Sequence, residues 1–568
     1  MHSGDLLTEM LINYGVEHVF GLPGGQTGAL YDGLLSRAGE IRHVLMRDER
    51  SAAYAADAYA RVTGRVGVCD ATVGPGATKL PSGLAEAKHS SIPILAILSD
   101  INQAHAALAD FGAASQALDQ LEMLRPLVKW QAKATRQAHL PELMRAAMRQ
   151  ATTGRPGPVV IDIPEDVFNA EYMRGTMDSA ARNHDGTFPS RRTAPEADLI
   201  GLAAHHLMQS ERPVIVAGGG VLISRAEQEL VGLAATLDMP VATTWSGKGA
   251  IAENHPLALG LLGNMGTTAA TEVVTNADLV FMIGTKSAQN STFSWTLPRA
   301  DQRVLHLDVD AAELGKVFAT AVGLAGDARL GLMLLHERVR TVARPAWRAS
   351  VAAAKAGWER QRDDERASHA TPITPQRVVG ELQRRWSATD LLVSDASFAS
   401  GWGGAYLELP TAGRRALFPR GVAGLGWGLP AAIGARFGHA DGTVVCLAGD
   451  GGFAYSLGEL ATAALYRLKI VAIVLNNRAL SWIKWNQRIN WGGRYQSADF
   501  SDVDFALVAQ GFGLRGERVS EPEELAPALE RGFAHDGTTV IDVITDEWET
   551  PIFAYRAAVA QHVGASFP

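Results

Sequence analysis

The segment 443–477 places an acidic side chain and two amides where neighbouring strands of a sheet would end. Its apolar run Val444–Leu447 predicts a buried strand, and the residues that follow it are Gly449, Asp450, Gly451 and Gly452. Glycines at the carboxyl end of a parallel strand let the backbone approach a ligand closely. We therefore expect the Asp450 carboxylate to point into a crevice at this edge of the sheet.

A helix and a second strand are predicted to lead to the same crevice. Ser456 and Glu459 have the spacing of a capping box, which predicts that a helix begins there with an N-terminus that favours an anion. The next predicted strand, Ile470–Leu475, ends at Asn476-Asn477 and delivers amide oxygens to the same edge. A carboxylate and an amide would thus converge beside a diphosphate-sized site.

The spacing of these residues distinguishes a metal site from an ordinary turn. Mg²⁺ is commonly held by one or two protein oxygens together with phosphate oxygens, and Asp450, Asn477 and a nearby carbonyl would serve. A Gly-Asp-Gly triplet alone is usually only a turn, but here 24 residues separate Gly451 from Asn476. This spacing resembles the signature of thiamine diphosphate enzymes. The resemblance implies that Asp450, Asn477 and the backbone oxygen of Ala479 bind the metal.

Glu49 is the candidate for activating that cofactor. Thiamine chemistry requires that the thiazolium C2 loses its proton, which happens once a carboxyl group bonds the ring nitrogen of the cofactor's aminopyrimidine. Glu49 lies between a predicted strand and an Ala-rich helix, where burial would raise its pKa. A glutamate at a helix start is also explained by the helix dipole alone, so the residue by itself leaves both interpretations open.

The surroundings of Glu49 resemble the acetolactate synthase group, and the likeness extends over nearly the whole chain. Paired alanines follow at Ala52-Ala53, and an Ala-x-x-Tyr-Ala-Arg-x-Thr-Gly pattern follows at 56–64. Other matching loops are Phe20–Gly25, Gly74–Thr78, Gly218–Gly220, Gly247–Gly249, His306–Asp310 and Arg420–Gly428. The resemblance implies catalytic roles for Glu49, Gln116 and Gly25. It implies cofactor contacts from Glu49, Thr72, Gly74, Leu425, Gly449, Asp450, Gly451, Gly452 and Asn477.

Composition and charge exclude several other classes of function. The 568 residues carry a net charge of −8 with acids and bases interspersed, which leaves no electrostatic footprint for nucleic acid or an anionic membrane. The longest apolar stretches are strand-sized, so we expect no membrane span. Cys69 and Cys446 both lie in apolar runs, which excludes a disulfide framework. The first residues carry acids and helical periodicity instead of a secretory pattern, and we expect a cytoplasmic protein.

Alternating strand and helix patterns predict an α/β fold of three doubly wound parallel-sheet domains. We predict a pyrimidine-binding domain at 1–177, a central Rossmann-like domain at 190–345 and a diphosphate-binding domain at 370–555. A charged helix and the segment Ser368–Pro375 would link the last two. The predicted strands are His18–Phe20, Val66–Ala71, Pro93–Leu98, Pro158–Ile163, Pro213–Ala217, Pro240–Thr243, Leu279–Ile283, Val304–Leu307, Leu391–Val393, Val444–Leu447, Ile470–Leu475 and Val540–Val543.

Several departures from the acetolactate synthase group concern the substrate pocket. Ser115 and Ala117 flank Gln116 where the synthases carry Phe and Glu, so the volume and polarity of the pocket should differ. Lys79 and Asp70 are unusual residues near the loop 71–78. Lys79 would either bind a substrate carboxylate or, as for most lysines at a helix start, face solvent.

A further departure lies nine positions after Asn477, where the synthases place a Trp that selects the acceptor 2-oxo acid. This chain has Asn486 there, and Trp482 and Trp485 flank it. The two tryptophans would either pack the helix or contact substrate.

The central domain leaves open whether FAD is bound. The stretch Gly284–Trp295 stands where flavin-containing synthases have an Arg-Phe-Asp-Asp-Arg-like sequence. The patterns Gly263-x-x-Gly266-Thr267 and Gly326-Asp327-Ala328 resemble other flavin or nucleotide contacts and are retained. Similar glycines and acids also occur in Rossmann-like domains that bind nothing.

Three hypotheses follow for function. The first is an acetolactate synthase-like carboligase that decarboxylates one 2-oxo acid and joins the remaining acyl group to a second carbonyl. The second is a decarboxylase or C–C lyase, including hydrolysis of a 1,2-diketone or cleavage of a 2-hydroxy ketone. The third is a non-catalytic relative, against which the intact Glu49, Asp450 and Asn477 argue. In the synthase group two subunits contribute to each active centre, so the resemblance implies a homodimer or a homotetramer.

Overall fold

The computed structural model describes residues 1–172 and 184–562, and these residues contain three parallel β-sheets of six strands each. The predicted end of the first domain at residue 177 lies outside the described residues. Within the described ranges, no helix combines the length and apolar character needed to cross a membrane. The α/β fold with three parallel-sheet domains is confirmed.

The strands follow one another in three groups along the chain. The first sheet contains β1 (His18–Gly21), β2 (Arg42–Leu45), β3 (Gly67–Ala71), β4 (Ile94–Asp100), β5 (Trp130–Lys133) and β6 (Val159–Pro164). The second contains β7 (Pro213–Ala217), β8 (Val241–Thr243), β9 (Ala258–Leu261), β10 (Leu279–Ile283), β11 (Arg303–Asp308) and β12 (Val322–Ala325). The third contains β13 (Leu391–Ser394), β14 (Ala416–Leu417), β15 (Val444–Gly449), β16 (Ile470–Asn476), β17 (Arg515–Val519) and β18 (Thr539–Ile544).

Helices connect the strands, as parallel pairing requires. Those that accompany the first sheet in sequence are α1 (Ser3–Asn13), α2 (Gly28–Ser36), α3 (Glu49–Thr63), α4 (Pro81–Ser90), α5 (Ala106–Asp110), α6 (Gln120–Leu124), α7 (Leu140–Thr152) and α8 (Glu165–Asn169). The next are α9 (Ala197–Gln209), α10 (Gly219–Ser224), α11 (Glu227–Thr236), α12 (Thr268–Asn276), α13 (Ala328–Arg338) and α14 (Pro345–Arg366). The last are α15 (Pro375–Arg385), α16 (Phe398–Tyr406), α17 (Gly428–Gly438), α18 (Asp450–Ala454), α19 (Glu459–Leu465), α20 (Ser481–Asn490), α21 (Phe505–Gly511), α22 (Pro522–Ala534) and α23 (Phe553–His562).

The first and third sheets share one strand order, and the second differs. The orders are β2-β1-β3-β4-β6-β5, β12-β11-β10-β7-β8-β9 and β14-β13-β15-β16-β18-β17. Counted from its own first strand, each outer sheet therefore reads 2-1-3-4-6-5 and the middle sheet reads 6-5-4-1-2-3. Central strands such as β4, β7 and β16 are buried along their whole length, as expected for parallel strands covered on both faces.

Every predicted strand overlaps an observed one, and the strands that sequence patterns missed lie at sheet edges. No bounds were predicted for β2, β5, β9, β12, β14 and β17, and of these a strand was expected only at β2, before Glu49. An edge strand pairs on one side only and is often short and charged, so its apolar signal is weak. β17, for example, reads Arg-Gly-Glu-Arg-Val.

The described chain divides into two compact units. The first contains Met1–Arg191, Pro419–Ala440 and Ser456–Leu468, and the second contains Arg192–Phe418, Asp441–Tyr455 and the chain from Lys469 onward. In the first unit α17 packs against α3, where a Cβ at Gly434 would lie 2.0 Å from the Ala55 carbonyl oxygen. In the second unit the charged helix predicted as a linker, α14, buries one apolar face in a core that the second and third sheets share.

Candidate active site

Glu49 is the first residue of α3, where the chain leaves β2. Asp48 caps the helix by accepting a hydrogen bond from the Arg50 N–H at 2.8 Å, so the Glu49 carboxyl takes no part in the cap. Glu49 is only 3 % exposed, and within the described residues its Oε2 accepts no hydrogen bond. A Cβ at Gly76 would lie 3.1 Å from Glu49 Oε1, so the glycine leaves room beside the other oxygen. A buried carboxyl with an oxygen that accepts no hydrogen bond fits a ligand that brings its own nitrogen.

Lys79 stands against this carboxyl. Its Nζ lies 3.0 Å from Glu49 Oε2, off the direction of a hydrogen bond, and 3.9 Å from Asp48 Oδ2. The Lys79 side chain is 44 % exposed. The Lys79 side chain is therefore exposed, as one of the two interpretations left open by the sequence expected, and its ammonium pairs with Glu49.

The predicted cofactor loops of the first unit lie together. Thr72 Oγ1 donates to Gln26 Oε1 at 3.0 Å, and Gln26 Nε2 donates to Gln116 Oε1 at 3.3 Å. Gly74 has a φ of 66°, and a Cβ there would lie 2.5 Å from the Gln116 carbonyl oxygen, so only glycine fits. Gly25 is exposed with nothing near its missing side chain. Sequence reasoning missed Gln26, although it directly follows a matched loop.

The loop that carries Leu425 is held by one buried carboxylate, that of Glu86. It accepts backbone hydrogen bonds from Gly421 at 2.8 Å, Val422 at 2.9 Å and Ala423 at 3.3 Å. Burial acts to raise the pKa of Glu86, but Arg61, Ser90 and the loop N–H groups outweigh it and lower this pKa below its usual value. Leu425 itself is half-buried. The loop conformation thus depends on an ionised Glu86.

Replacing Glu86 by glutamine should loosen this loop. An amide cannot accept at both positions, so part-buried N–H groups of the loop and the buried Arg61 lose a partner, and the free energy of unfolding should fall by about 3 kcal/mol. Because the Glu86 pKa is lowered by folding, its stabilisation is present above the ordinary glutamate pKa of about 4.3 and is lost as pH falls through the lowered value.

Thermal unfolding between pH 3 and pH 8 measures this effect. The difference in thermal midpoint between wild type and Glu86→Gln should be largest near neutral pH and should shrink in acid. Glu122→Gln is the control because that side chain is 63 % exposed and pairs with Arg125 at the surface. A difference that does not change with pH would contradict the assigned charge.

In the second unit Asp450 stands at the carboxyl end of β15 and begins α18. Its Oδ1 accepts from the Gly451 N–H and its Oδ2 from the Arg478 N–H, both at 2.6 Å. Burial raises the pKa of Asp450 to about 6 against these backbone hydrogen bonds. A Cβ at Gly452 would lie 2.8 Å from Asp395 Oδ2, so a second carboxylate from the end of β13 stands nearby.

The loop after β16 closes on Asp450 through the Arg478 N–H and holds Asn477 in a fixed orientation. Asn477 Oδ1 accepts from the Ala479 N–H at 3.2 Å, and its Nδ2 donates to Ser481 Oγ at 2.6 Å. Within the described residues, His, Cys, Asp and Glu side chains form no group of three or more that could hold a metal. A cation here would therefore take a carboxylate, an amide oxygen and a carbonyl oxygen, and complete its shell from a ligand.

The predicted helix start at Ser456 is wrong. α18 ends at Ala454 and α19 begins at Glu459. Ser456 Oγ makes no hydrogen bond to any described residue, so no capping box forms. The Glu459 carboxylate instead accepts from the Arg47 N–H at 3.0 Å. The glutamate that local spacing assigned to a helix cap is therefore bound by a residue distant in sequence.

Three segments of the chain match one family in order. Residues 1–123 match thiamine pyrophosphate enzyme, N-terminal TPP binding domain, residues 200–335 match its central domain, and residues 395–543 match its C-terminal TPP binding domain. The chain belongs to the thiamine pyrophosphate enzymes. Pyrophosphate and diphosphate are two names for one group, so the resemblance drawn from the sequence is confirmed.

Relatives of this thiamine pyrophosphate enzyme match it almost from end to end. It is 33 % identical to an acetolactate synthase of Arthrospira platensis, over 94 % of this chain and 93 % of the relative. It is 32 % identical to a probable acetolactate synthase large subunit of Methanococcus aeolicus, over 96 % and 92 %. It is 31 % identical to an acetolactate synthase large subunit of Pyropia yezoensis, over 99 % and 95 %.

The two tryptophans of α20 differ in burial in this thiamine pyrophosphate enzyme. Trp485 is 3 % exposed and stacks on Tyr555 with ring centroids 6.1 Å apart, so it packs α20 against α23. Trp482 is half-buried and lies 5.7 Å from Phe398, centroid to centroid. Asn486, where the resemblance to the synthases led us to expect a Trp, is half-buried.

The glycine motifs of the central domain are explained by backbone packing. A Cβ at Gly218 would lie 2.2 Å from the Gly284 carbonyl oxygen, so the two loops meet backbone to backbone. The Asp327 carboxylate accepts from Arg192 Nη1 at 2.8 and 2.9 Å and from Ser224 Oγ at 2.7 Å. Protein groups thus engage Asp327, one of the retained residues that resemble flavin contacts.

Proposed function

We propose that this protein uses thiamine diphosphate and Mg²⁺ to decarboxylate a 2-oxo acid and join the remaining acyl group to a second carbonyl. The observation that carries the proposal is the buried Glu49 carboxyl, whose Oε2 accepts no hydrogen bond within the described residues. Similarity to acetolactate synthases over nearly the whole chain supports the same reaction class.

The proposed cofactor contacts come from the first and the last of the three predicted domains. The pyrimidine domain is 1–177, the central domain 190–345 and the diphosphate domain 370–555. Asp450, Asn477 and the Ala479 carbonyl would hold Mg²⁺ and, through it, the diphosphate. Leu425 would press the cofactor into its bent form, and Thr72, Gly74, Gly449, Gly451 and Gly452 would contact it.

When bound, thiamine diphosphate supplies a carbon acid whose conjugate base attacks a 2-oxo acid and stores the electron pair released with CO₂. Glu49 would hold a proton between its carboxyl and the pyrimidine ring nitrogen. Gln116, which is exposed and hydrogen-bonded to Gln26, would orient the substrate together with Gly25. Asp450 would balance the charge of the metal, and burial of both carboxylates keeps water from them.

A decarboxylase or C–C lyase is the second candidate. It is favoured by Asn486 in place of the acceptor-selecting Trp and by Ala117 in place of the acid beside Gln116. A pocket without those groups would hold a second 2-oxo acid less well. The acyl group that remains after loss of CO₂ would then take a proton instead of joining a second carbonyl. A 1,2-diketone or 2-hydroxy ketone would be cleaved by the same chemistry.

One assay separates these reactions. Purified protein is incubated with thiamine diphosphate, Mg²⁺ and pyruvate, while CO₂, acetolactate and acetaldehyde are followed together. Acetolactate is the expected product, and acetaldehyde alone would establish the decarboxylase instead. A flavin absorbance spectrum would show that FAD is bound.

The active centre is proposed to be shared between two copies of the chain in a homodimer or homotetramer. Mixing Glu49→Gln with Asp450→Ala subunits tests this, because a hybrid dimer would contain one centre with both residues intact. Random exchange should restore about a quarter of wild-type activity. No recovery after verified exchange would mean that each subunit supplies both residues of its own centre.

A further inference from the structure

Helix α20 presents polar groups that have no hydrogen-bond partner in the described part of the chain. They are the indole N–H of Trp482 and the carboxamide of Asn486, and both side chains are half-buried. Side chains four residues apart lie next to each other on one face of a helix, so these two groups are neighbours. Indole N–H groups and amides usually have a partner where water is kept from them. The surface formed by Trp482 and Asn486, here named the Trp482 face, is therefore able to hydrogen-bond a ligand.

Another face of α20 packs against the end of the chain and takes up the charges of the helix. Lys484 Nζ lies 2.5 Å from Glu547 Oε2, and the Arg488 guanidinium lies 4.7 Å from the centre of the Trp548 ring. At 3.6 residues per turn, both cations project away from the Trp482 face. The Trp482 face itself therefore carries neutral polar groups.

The Trp482 face borders the crevice that Asp450 enters. The Trp482 ring lies 5.7 Å from the Phe398 ring, centroid to centroid, and Phe398 begins α16 after β13. In the third sheet β13 and β16 flank β15, so this contact crosses the end of the strand that leads to Asp450. A Cβ at Gly451 would lie 3.3 Å from the side chain of Leu480, just before α20. The indole N–H and the amide thus lie at the edge of the proposed metal site.

We propose that Trp482 and Asn486 select the substrate of this enzyme and fit a 2-oxo acid whose side chain carries a hydroxyl group. The inference rests on the proposed function and goes further by naming the class of 2-oxo acid. A hydroxyl oxygen accepts a hydrogen bond from the indole N–H, and the hydroxyl donates its proton to the amide oxygen of Asn486. An apolar side chain in the same place would leave both groups without a partner. A carboxylate fits less well, because the cations of α20 lie on its other face.

Hydroxypyruvate and 2-oxobutyrate test this assignment, because they differ only in a hydroxyl against a methyl group of similar size. The measurement is kcat/KM for CO₂ release from each acid, with the protein loaded with thiamine diphosphate and Mg²⁺. Wild type should prefer hydroxypyruvate by at least about tenfold, since a site that hydrogen-bonds a substrate hydroxyl rejects the analogue without it. In Asn486→Leu, which keeps the volume and loses the hydrogen bond, the preference should fall to about unity.

Trp482→Phe is the second variant, because phenylalanine keeps an aromatic ring against Phe398 and removes the N–H. The preference for hydroxypyruvate should fall by at least about threefold in this variant. Asn490→Leu is the matched control, since Asn490 is exposed at the end of the same helix, and it should keep the wild-type preference. A purely structural role of Trp482 or Asn486 would lower kcat/KM for both acids alike.

Fluorine NMR of fluorotryptophan-labelled protein measures the contact without turnover. The Glu49→Gln variant is loaded with thiamine diphosphate and Mg²⁺, and each acid is added in turn. The Trp482 signal is assigned by its absence from the Glu49→Gln, Trp482→Phe double variant. We expect this signal to shift with hydroxypyruvate and to shift much less with 2-oxobutyrate.

Different results would count against different statements. The role of the Trp482 face would be wrong if wild type and Asn486→Leu showed the same ratio of kcat/KM for the two acids while pyruvate is still decarboxylated. Turnover of pyruvate with neither of the two larger acids would also overturn this role, and in both cases the proposed function would stand. Release of CO₂ from none of the three acids would overturn the proposed function, and the inference with it.

Discussion

Replacing Glu49 by glutamine is expected to abolish turnover while thiamine diphosphate still binds. The glutamine side chain fills the same buried position at the start of α3, so the site keeps its shape. It cannot hold a proton between a carboxyl and the ring nitrogen, and loss of such proton transfer typically costs about 10²- to 10⁴-fold in rate. The measurement is kcat with pyruvate alongside the dissociation constant of the cofactor.

The matched control for this variant is Glu142→Gln. Glu142 lies on α7 in the same unit, its side chain is 55 % exposed, and it pairs with the neighbouring Arg145 at the surface. We expect wild-type turnover from it. Full activity in Glu49→Gln would overturn the mechanism, whatever the substrate proves to be.

Replacing Asp450 by alanine is expected to remove the effect of Mg²⁺ on cofactor binding. Asp450 is the charged member of the proposed ligand set, and its carboxylate also accepts the Arg478 N–H at 2.6 Å. Its loss would therefore remove a metal ligand and release the loop that carries Asn477. Affinity with Mg²⁺ should drop by at least about 100-fold, since even indirect supports of a metal site cost about 10- to 100-fold.

Titrations of thiamine diphosphate with and without Mg²⁺ test this prediction. The two curves should coincide for Asp450→Ala and differ widely for wild type. Asp502→Ala is the control, because that carboxylate is 50 % exposed and pairs with Arg518 at the surface. An unchanged response to Mg²⁺ in the Asp450 variant would place the metal elsewhere, and circular dichroism checks that the variant is folded.

The strands of the sheet centres could be predicted from sequence because they are buried along their length. β7 and β10 match their predicted bounds, since both faces of each strand are apolar. β14 has only two residues, and β17 carries three charged residues, so neither gave a periodic signal. The helix start at Ser456 failed because Glu459 is engaged by the Arg47 backbone, a contact that no local pattern contains.

The candidate site was predictable where it depends on strand ends. Asp450 and Asn477 follow adjacent strands, β15 and β16, and parallel pairing brings their ends to one edge. The pairing of Lys79 with Glu49 was not predictable, because a half-exposed lysine in a 3₁₀ turn has no spacing that fixes its partner. Gln26 was missed for a similar reason, since side-chain hydrogen bonds between loops leave no periodicity.

The shared strand order of the two outer sheets gives the chain an internal equivalence. In each of them the third strand in sequence lies third in the sheet, and these strands are β3 and β15. β3 runs into the glycine loop that faces Glu49, and β15 runs into Asp450 and its glycines. The glycine loop after β3 and the Asp450 segment after β15 therefore stand at equivalent positions of two sheets with the same strand order. This is the arrangement expected if an ancestral half was duplicated and its copies diverged, one to handle a base and the other a phosphate.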